Sequence, residues 1–256
     1  MNDRALPLAG RRAVVSGASR GIGRAMAIMF AECGADVALV ARNPETLLEV
    51  AEAVAAAGRT AITIPCDVTA EDTPALIADR VTGEFGGLDI LVNNAGGNSF
   101  MSDLATMRLS GWRKTMDLNL DAVVRITQAL LPALVASGHG SIINVSSVAG
   151  VRGVPMMSHY SAAKAALISL SASLAGELAT SGVRVNALVP GWIDTDLTDF
   201  LRADEGIEST LLKDVPMHRW GRADEMAEGA VFLASDASSF MTGQTLILDG
   251  GLSSRP

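Results

Sequence analysis

Short apolar runs alternate with longer stretches whose apolar positions recur every three to four residues. Ala13–Ser16, Val37–Ala41, Ala61–Ile64, Asp89–Asn93, Ser141–Ser146, Val183–Val189 and Thr245–Leu248 read as seven strands. Helices are predicted over Ile22–Cys33, Pro44–Ala57, Glu71–Phe85, Gly111–Ala136, Ser158–Thr180 and Ala223–Ala234, with a looser segment from Trp192 to Trp220. Asn43 and Pro44 suit an N-cap and a first helical position, and Gly58 a C-terminal glycine. Continuously apolar strands separated by helices imply a parallel sheet covered on both faces. The right-handed crossover rule makes it an α/β doubly wound (Rossmann) sheet of about seven strands. No linker or repeat divides the pattern, so residues 1–256 are expected to form one domain, with a lid at about 192–216.

Ligands of such sheets lie beyond the carboxyl ends of the strands. After the first strand comes Ser16-Gly-Ala-Ser-Arg-Gly-Ile-Gly23. Glycines 17, 21 and 23 allow a tight turn in which backbone N–H groups approach a pyrophosphate. The second strand ends Val40-Ala41-Arg42, where an NAD site would carry a carboxylate for the ribose hydroxyl. Arg42 instead offers a planar donor fork to a 2′-phosphate, and Arg20 a second positive charge, so NADP(H) is the expected cofactor. The chain has one tyrosine, and it lies in Tyr160-Ser-Ala-Ala-Lys164. Positions i and i+4 share a helix face, and an ammonium beside a phenol favours the phenolate. Such a pair suits general acid/base work on a carbonyl or alcohol.

With its glycine turn, the chain resembles the short-chain dehydrogenase/reductases along nearly its whole length, and most closely the 3-oxoacyl-carrier-protein reductases. The resemblance implies further cofactor contacts from Ser19 and Ile22 in the turn, and from Asp67 and Val68 beside the adenine. It also implies contacts from Asn93, Ala95 and Gly96 in Asn93-Asn-Ala-Gly96. Pro190, Gly191, Ile193 and Thr195 match the segment that holds the nicotinamide carboxamide. Ser147 lies thirteen residues before Tyr160, the family spacing, although Ser146 competes for the role; alternation along a strand lets only one face the site. Asn119 matches the family's helix asparagine. The implied chemistry is hydride transfer between nicotinamide and a carbonyl or secondary alcohol. Ser147 polarises the oxygen, Tyr160 moves the proton, Lys164 lowers the tyrosine pKa and binds ribose, and Asn119 holds a water. The family's common assembly, and the apolar length of the two central helices, imply a homotetramer. Alternative readings are a 3-oxoacyl-carrier-protein reductase, a non-catalytic dinucleotide-binding redox sensor and a methyltransferase. A sensor would not need all four residues, and a methyltransferase usually keeps an acid where Arg42 stands.

Composition narrows the partners. The 256 residues carry 28 acidic and 20 basic side chains, a net charge of −8, which disfavours nucleic acid. The longest uncharged stretch, Ile126–Val151, is interrupted by Pro132, Gly138 and Gly140, so no membrane span is expected. Met1–Arg12 has charges but no apolar core for export. Cys33 and Cys66 read as free thiols in a reducing cytoplasm, and His139, His159 and His218 as ordinary surface or loop histidines without metal-ligand spacing. Met156, Met157, Trp192 and Phe200 are candidates for an apolar substrate pocket. The acidic lid, with Asp194, Asp196, Asp199, Asp204, Glu205, Glu208 and Asp214, disfavours strongly anionic substrates. Pro132–Gly140 and Glu177–Gly182 contain no Lys or Arg, which counts against docking an acidic carrier protein.

Overall fold

Seven parallel strands form one sheet in the order β3-β2-β1-β4-β5-β6-β7. They are β1 (Arg12–Ser16), β2 (Asp36–Ala41), β3 (Ala61–Pro65), β4 (Ile90–Asn93), β5 (Ser141–Val145), β6 (Arg184–Pro190) and β7 (Thr245–Leu248). The structure, a computed structural model, describes residues 6–196 and 198–254, excepting the side chains of Phe200 and Glu205. The first five residues of the charged amino-terminal stretch lie outside it, as does the Phe200 side chain considered for the pocket.

Both faces of the sheet are buried, and the pleat divides the side chains between them. Ala13, Val15, Val37 and Leu39 enter one apolar cluster, with Met26, Phe30 and Ala230. Their neighbours Val14, Ala38 and Val40 enter another, with Ile77, Ile126 and Leu130. Helices α1 (Gly21–Glu32), α2 (Pro44–Ala56) and α10 (Ala223–Ala234) cover the first face. Helices α3 (Thr73–Phe85), α5 (Ala122–Ser137) and α7 (Ser158–Leu178) cover the second. Asn43 caps α2, its Oδ1 accepting from the backbone N–H of Glu45 at 2.8 Å and of Thr46 at 3.3 Å, and Gly58 takes the left-handed conformation at φ +75°. Between β1 and β4 the strand order reverses direction, which opens the crevice where such folds bind their ligands.

Three departures from the sequence expectation matter for the site. The predicted helix at 111–136 is two helices, α4 (Leu109–Met116) and α5, joined by a π-helical turn at Asp117–Asp121. Asn119 lies in that turn, and its Nδ2 donates to Thr115 O at 3.0 Å, the carbonyl a regular α-helix would pair with the Asn119 backbone. A side chain inserted into the backbone ladder is a recognised cause of such a break. A short helix, α6 (Val148–Arg152), follows β5 directly, and the looser segment holds α8 (Asp199–Arg202) and α9 (Glu205–Asp214).

Candidate active site

The glycine turn opens the crevice. Gly17 and Gly21 have φ of +67° and +52°, conformations that a side chain would oppose. Gly23 has another reason to be glycine: an added Cβ would lie 2.1 Å from Gly17 O and 2.5 Å from Asn94 Nδ2. Asn94 braces the turn, donating from Nδ2 to Ser16 O at 2.9 Å and to Gly17 O at 3.2 Å. Ser16 Oγ accepts from the backbone N–H groups of Asn94 and Ala95, both at 3.0 Å. Helix α1 starts directly on this turn, and its N-cap, Arg20, supplies no side-chain cap. The unsatisfied N–H groups and positive end of the helix dipole therefore suit a pyrophosphate.

Arg42 is exposed at the end of β2. Asp67, beyond β3, sits low in pKa because its carboxylate accepts from the Thr69 backbone and hydroxyl, with Arg42 and Lys114 adding positive potential. Lys114 is thus a second cation near this corner, one that the sequence reading missed for lack of a local motif. Arg20 is exposed and lies 3.8 Å from Asp196.

Three residues expected to touch the cofactor have side chains committed elsewhere. Asn93 is 2% exposed, and its Nδ2 donates to Thr127 Oγ1 at 3.0 Å and Asn144 Oδ1 at 2.8 Å. Val68 packs into the second apolar cluster, and Ile193 is buried beside its bridge to Gly221. At these positions the side chain is tied into the fold, which leaves the backbone to meet a nucleotide. Thr195 lies against Gly21, and Gly191 against Asp249, where a Cβ would come within 2.6 Å of the Asp249 Cα. Pro190 ends β6, while Ser19 and Ile22 are half-buried in the turn.

The chemistry-bearing side chains meet at the ends of β4 and β5. Lys164 is 4% exposed, and its Nζ donates to Val145 O at 2.8 Å. Ser146 Oγ donates to Lys164 O at 2.7 Å, so Ser146 anchors α7 and is spent on that bond. Its neighbour Ser147 caps α6, accepting from Ala149 N at 3.2 Å, and stands close enough to the Tyr160 phenol to ease its ionisation. Lys164 Nζ stands 5.7 Å from the centre of the Tyr160 ring. A Cβ on Gly96 would fall 2.8 Å from Asn119 Oδ1 and 3.1 Å from Lys164 Nζ, so glycine there lets the two side chains close on the loop.

One expectation for this group needs correction. Burial pushes the Tyr160 phenol above its ordinary value, and the Ser147 hydrogen bond offsets this only in part. Lys164 does not pull it down here: burial lowers the lysine itself to about 8, and its hydrogen bond goes to the backbone. Asn119 is fully buried, its Oδ1 accepting from Gly97 N at 2.9 Å and its Nδ2 donating to Gly97 O and Thr115 O, both at 3.0 Å. Its side chain therefore shapes the Gly96–Gly97 wall, with both amide hydrogens spent on carbonyls.

A model of the family described as enoyl-(acyl carrier protein) reductase matches residues 17–253. The cis-4-hydroxycyclohexanecarboxylate dehydrogenase of Sinomonas cyclohexanicum is 42% identical, over 94% of this chain and 96% of that protein. The 3-oxoacyl-(acyl-carrier-protein) reductase of Chlamydia trachomatis is 37% identical over 96% and 98%. A short-chain type dehydrogenase/reductase from Mycobacterium marinum superposes with a TM-score of 0.90 at 39% identity, covering 97% of each chain. The chain belongs to the short-chain dehydrogenase/reductase family. A gluconate 5-dehydrogenase from Burkholderia cenocepacia, solved with NADP and tartrate, superposes with a TM-score of 0.92 at 36% identity, covering 98% of each chain.

The histidines and the apolar pocket depart from expectation. His159 is fully buried, while His139 pairs with the buried Asp89 at 3.0 Å. Trp192 meets Trp220 edge to face at 6.1 Å, and the Trp220 indole donates to Glu208 on α9 at 2.6 Å. Met157 is half-buried, and Met156 is exposed with φ +66°.

Proposed function

We propose that Asn119, Ser147, Tyr160 and Lys164 form the working site of an NADP(H)-dependent oxidoreductase acting between a carbonyl and a secondary alcohol. The observation that carries the reading is the meeting of Ser147, Tyr160 and Lys164 within one crevice with the uncapped glycine turn. The glycine turn would hold the pyrophosphate, Arg42 the 2′-phosphate with Arg20 and Lys114 adding charge, Asp67 the adenine side, and Pro190–Thr195 the nicotinamide end. Bound NADP(H) supplies or accepts the hydride. Ser147 orients the substrate oxygen. Tyr160, protonated at neutral pH, gives that oxygen a proton during reduction; oxidation reverses the transfer and starts from the phenolate, so the phenol must first give up its own proton. Lys164, which titrates near 8, is poised to resupply the phenol and to bind ribose hydroxyls. Among substrates, cyclic hydroxy acids and sugar acids are the first to test, because relatives and neighbours are named for them. The carrier-protein relative supports an acyl substrate, but the helix ends at Pro132–Gly140 and Glu177–Gly182 lack the cations an acidic carrier would meet.

The test is turnover of a ketone panel with NADPH and with NADH. NADPH is expected to be preferred. Arg42→Asp should weaken NADPH binding about ten- to a hundredfold, the worth of one charge-assisted contact of roughly 1.5–3 kcal/mol, and leave NADH binding little changed. Equal affinity of the unmodified protein for both nucleotides would overturn the assignment of Arg42.

The same reading includes one domain over residues 1–256, a reducing cytoplasmic setting that suits the free Cys33 and Cys66, and a homotetramer. Helical spans Leu109–Ser137 and Ser158–Ser181 have mean hydropathies of 1.4 and 1.2, long and apolar enough by composition to cross a membrane. Each instead lies along the sheet, yet only 33% of its most apolar window is buried within the protomer. Val124, Val135, Phe232 and a fully exposed Phe240 add apolar surface that partner subunits would cover. Light scattering should give a species of four chains, and a single-chain species would refute the assembly.

A further inference from the structure

We propose that His159 and Asn98 are positioning residues that fix the substrate-facing loop, residues 97–108, against the start of α7. The inference rests on the reading of Tyr160 as proton donor, and it names what holds the wall beside that phenol. His159 precedes Tyr160 in the chain, and its side chain is fully buried. Its Nε2 lies 2.9 Å from Asn98 Oδ1, and its ring stacks on Phe100 with centroids 4.1 Å apart and planes 12° from parallel. The other face of the Phe100 contact is set by Gly111 at the start of α4, where an added Cβ would come within 3.0 Å of the ring. Two further ties complete the fastening: Gly97 is clamped by Asn119, and Ser102 N donates to Met156 O at 2.9 Å. The loop is therefore held at positions 97, 98, 100 and 102. Of these, positions 98 and 100 depend on one imidazole.

The chemistry of that imidazole is constrained. Asn98 presents an acceptor, so Nε2 carries the proton and donates. Nδ1 is buried and has no hydrogen-bond partner among the described residues. A second proton there would place an unpaired N–H and a charge in the interior, so the ring stays neutral. Burial holds its pKa below the ordinary histidine value, against a smaller upward pull from the Phe100 backbone. A neutral, flat ring with one donor edge serves two tasks at once. It stacks on Phe100 without bringing a charge beside Tyr160, and it directs Asn98 along the wall. Lost clamping would let the loop sample other positions, which lowers the population competent to bind substrate and leaves the proton donor in place.

Three variants separate the tasks. Asn98→Ala removes the acceptor. His159→Phe keeps the stack and removes the donor. His159→Gln keeps an N–H near the Nε2 position and removes the stack. Asn98→Ala and His159→Phe should each raise the KM for the ketone about two- to tenfold, the worth of one neutral hydrogen bond, with kcat and NADPH affinity little changed. The double variant should be no worse than either single one, because both remove the same bond. His159→Gln should recover part of the loss. Independently of any substrate, ¹⁵N NMR of the imidazole should show the Nε2–H tautomer persisting below pH 6.5, and hydrogen exchange in residues 97–104 should quicken in Asn98→Ala and His159→Phe. Additive or absent KM effects, or an Nδ1–H tautomer, would overturn the proposal. If the unmodified protein turned over no ketone, the function reading would fail, and the tautomer and exchange measurements would still decide this one.

Discussion

Tyr160→Phe is expected to lower turnover by about 10²–10⁴-fold while NADPH affinity stays within about twofold, the range typical of a lost general acid. The substitution removes one oxygen and keeps the ring beside Lys164, so packing changes little. The glycine turn and Arg42, proposed above to hold the nucleotide's far end, are untouched. No other phenol exists in the chain to take over. Steady-state rates with the best ketone, beside a fluorescence titration with NADPH, give the comparison. Retention of more than about a tenth of the rate, far outside that range, would remove Tyr160 from the mechanism and reopen the role of Ser147. The lone tyrosine also allows a direct reading of its ionisation, since any tyrosinate absorbance belongs to Tyr160. In the nucleotide-free protein it should emerge above the ordinary value of about 10, because burial opposes the phenolate.

Lys164→Met should cost about 10²-fold or more in rate and, unlike Tyr160→Phe, weaken NADPH binding as well. Its second signature is the pH dependence of stability. The folded lysine titrates near 8, whereas an unfolded lysine titrates near 10.4. Between those values the unfolded chain binds more protons, so stability rises with pH across the window. The destabilising contribution of the buried ammonium is full below pH 8 and fades as the pH approaches 10.4. The unfolding free energy of the unmodified protein, relative to Lys164→Met, should therefore rise by up to about 3 kcal/mol from pH 8 to pH 10.4 without nucleotide. Denaturant titrations at several pH values give the slope. A flat difference would show that burial does not lower the Lys164 pKa.

Much of the fold was legible because its signals are local. Each strand is a run of apolar residues, the longer helices between them were marked by their length and spacing, and Asn43, Pro44 and Gly58 mark the limits of α2 by their own backbone demands. The glycine turn was legible for the same reason, since positive φ at Gly17 and Gly21 is a requirement on single residues. Tyr160 and Lys164 could be paired because four residues on a helix bring side chains to one face.

What the tertiary structure decided depends on groups far apart in the chain. The bond that commits Ser146 elsewhere comes from Lys164, eighteen residues beyond it, whose carbonyl takes the Ser146 hydroxyl. The π turn follows from the meeting of Asn119 with Gly97, which no periodicity in 111–136 announces. Asn93 and Val68 were drawn into the core by packing partners from other strands and helices. His159 read as an ordinary histidine because its partner Asn98 lies sixty-one residues earlier. The phenol's pKa went up rather than down because burial opposes the phenolate, and that burial exists only in the folded chain. Sequence determines such features when one residue's own conformational limits suffice. Burial and hydrogen-bond partnership belong to pairs of elements, and they exist only once the sheet has brought those elements together.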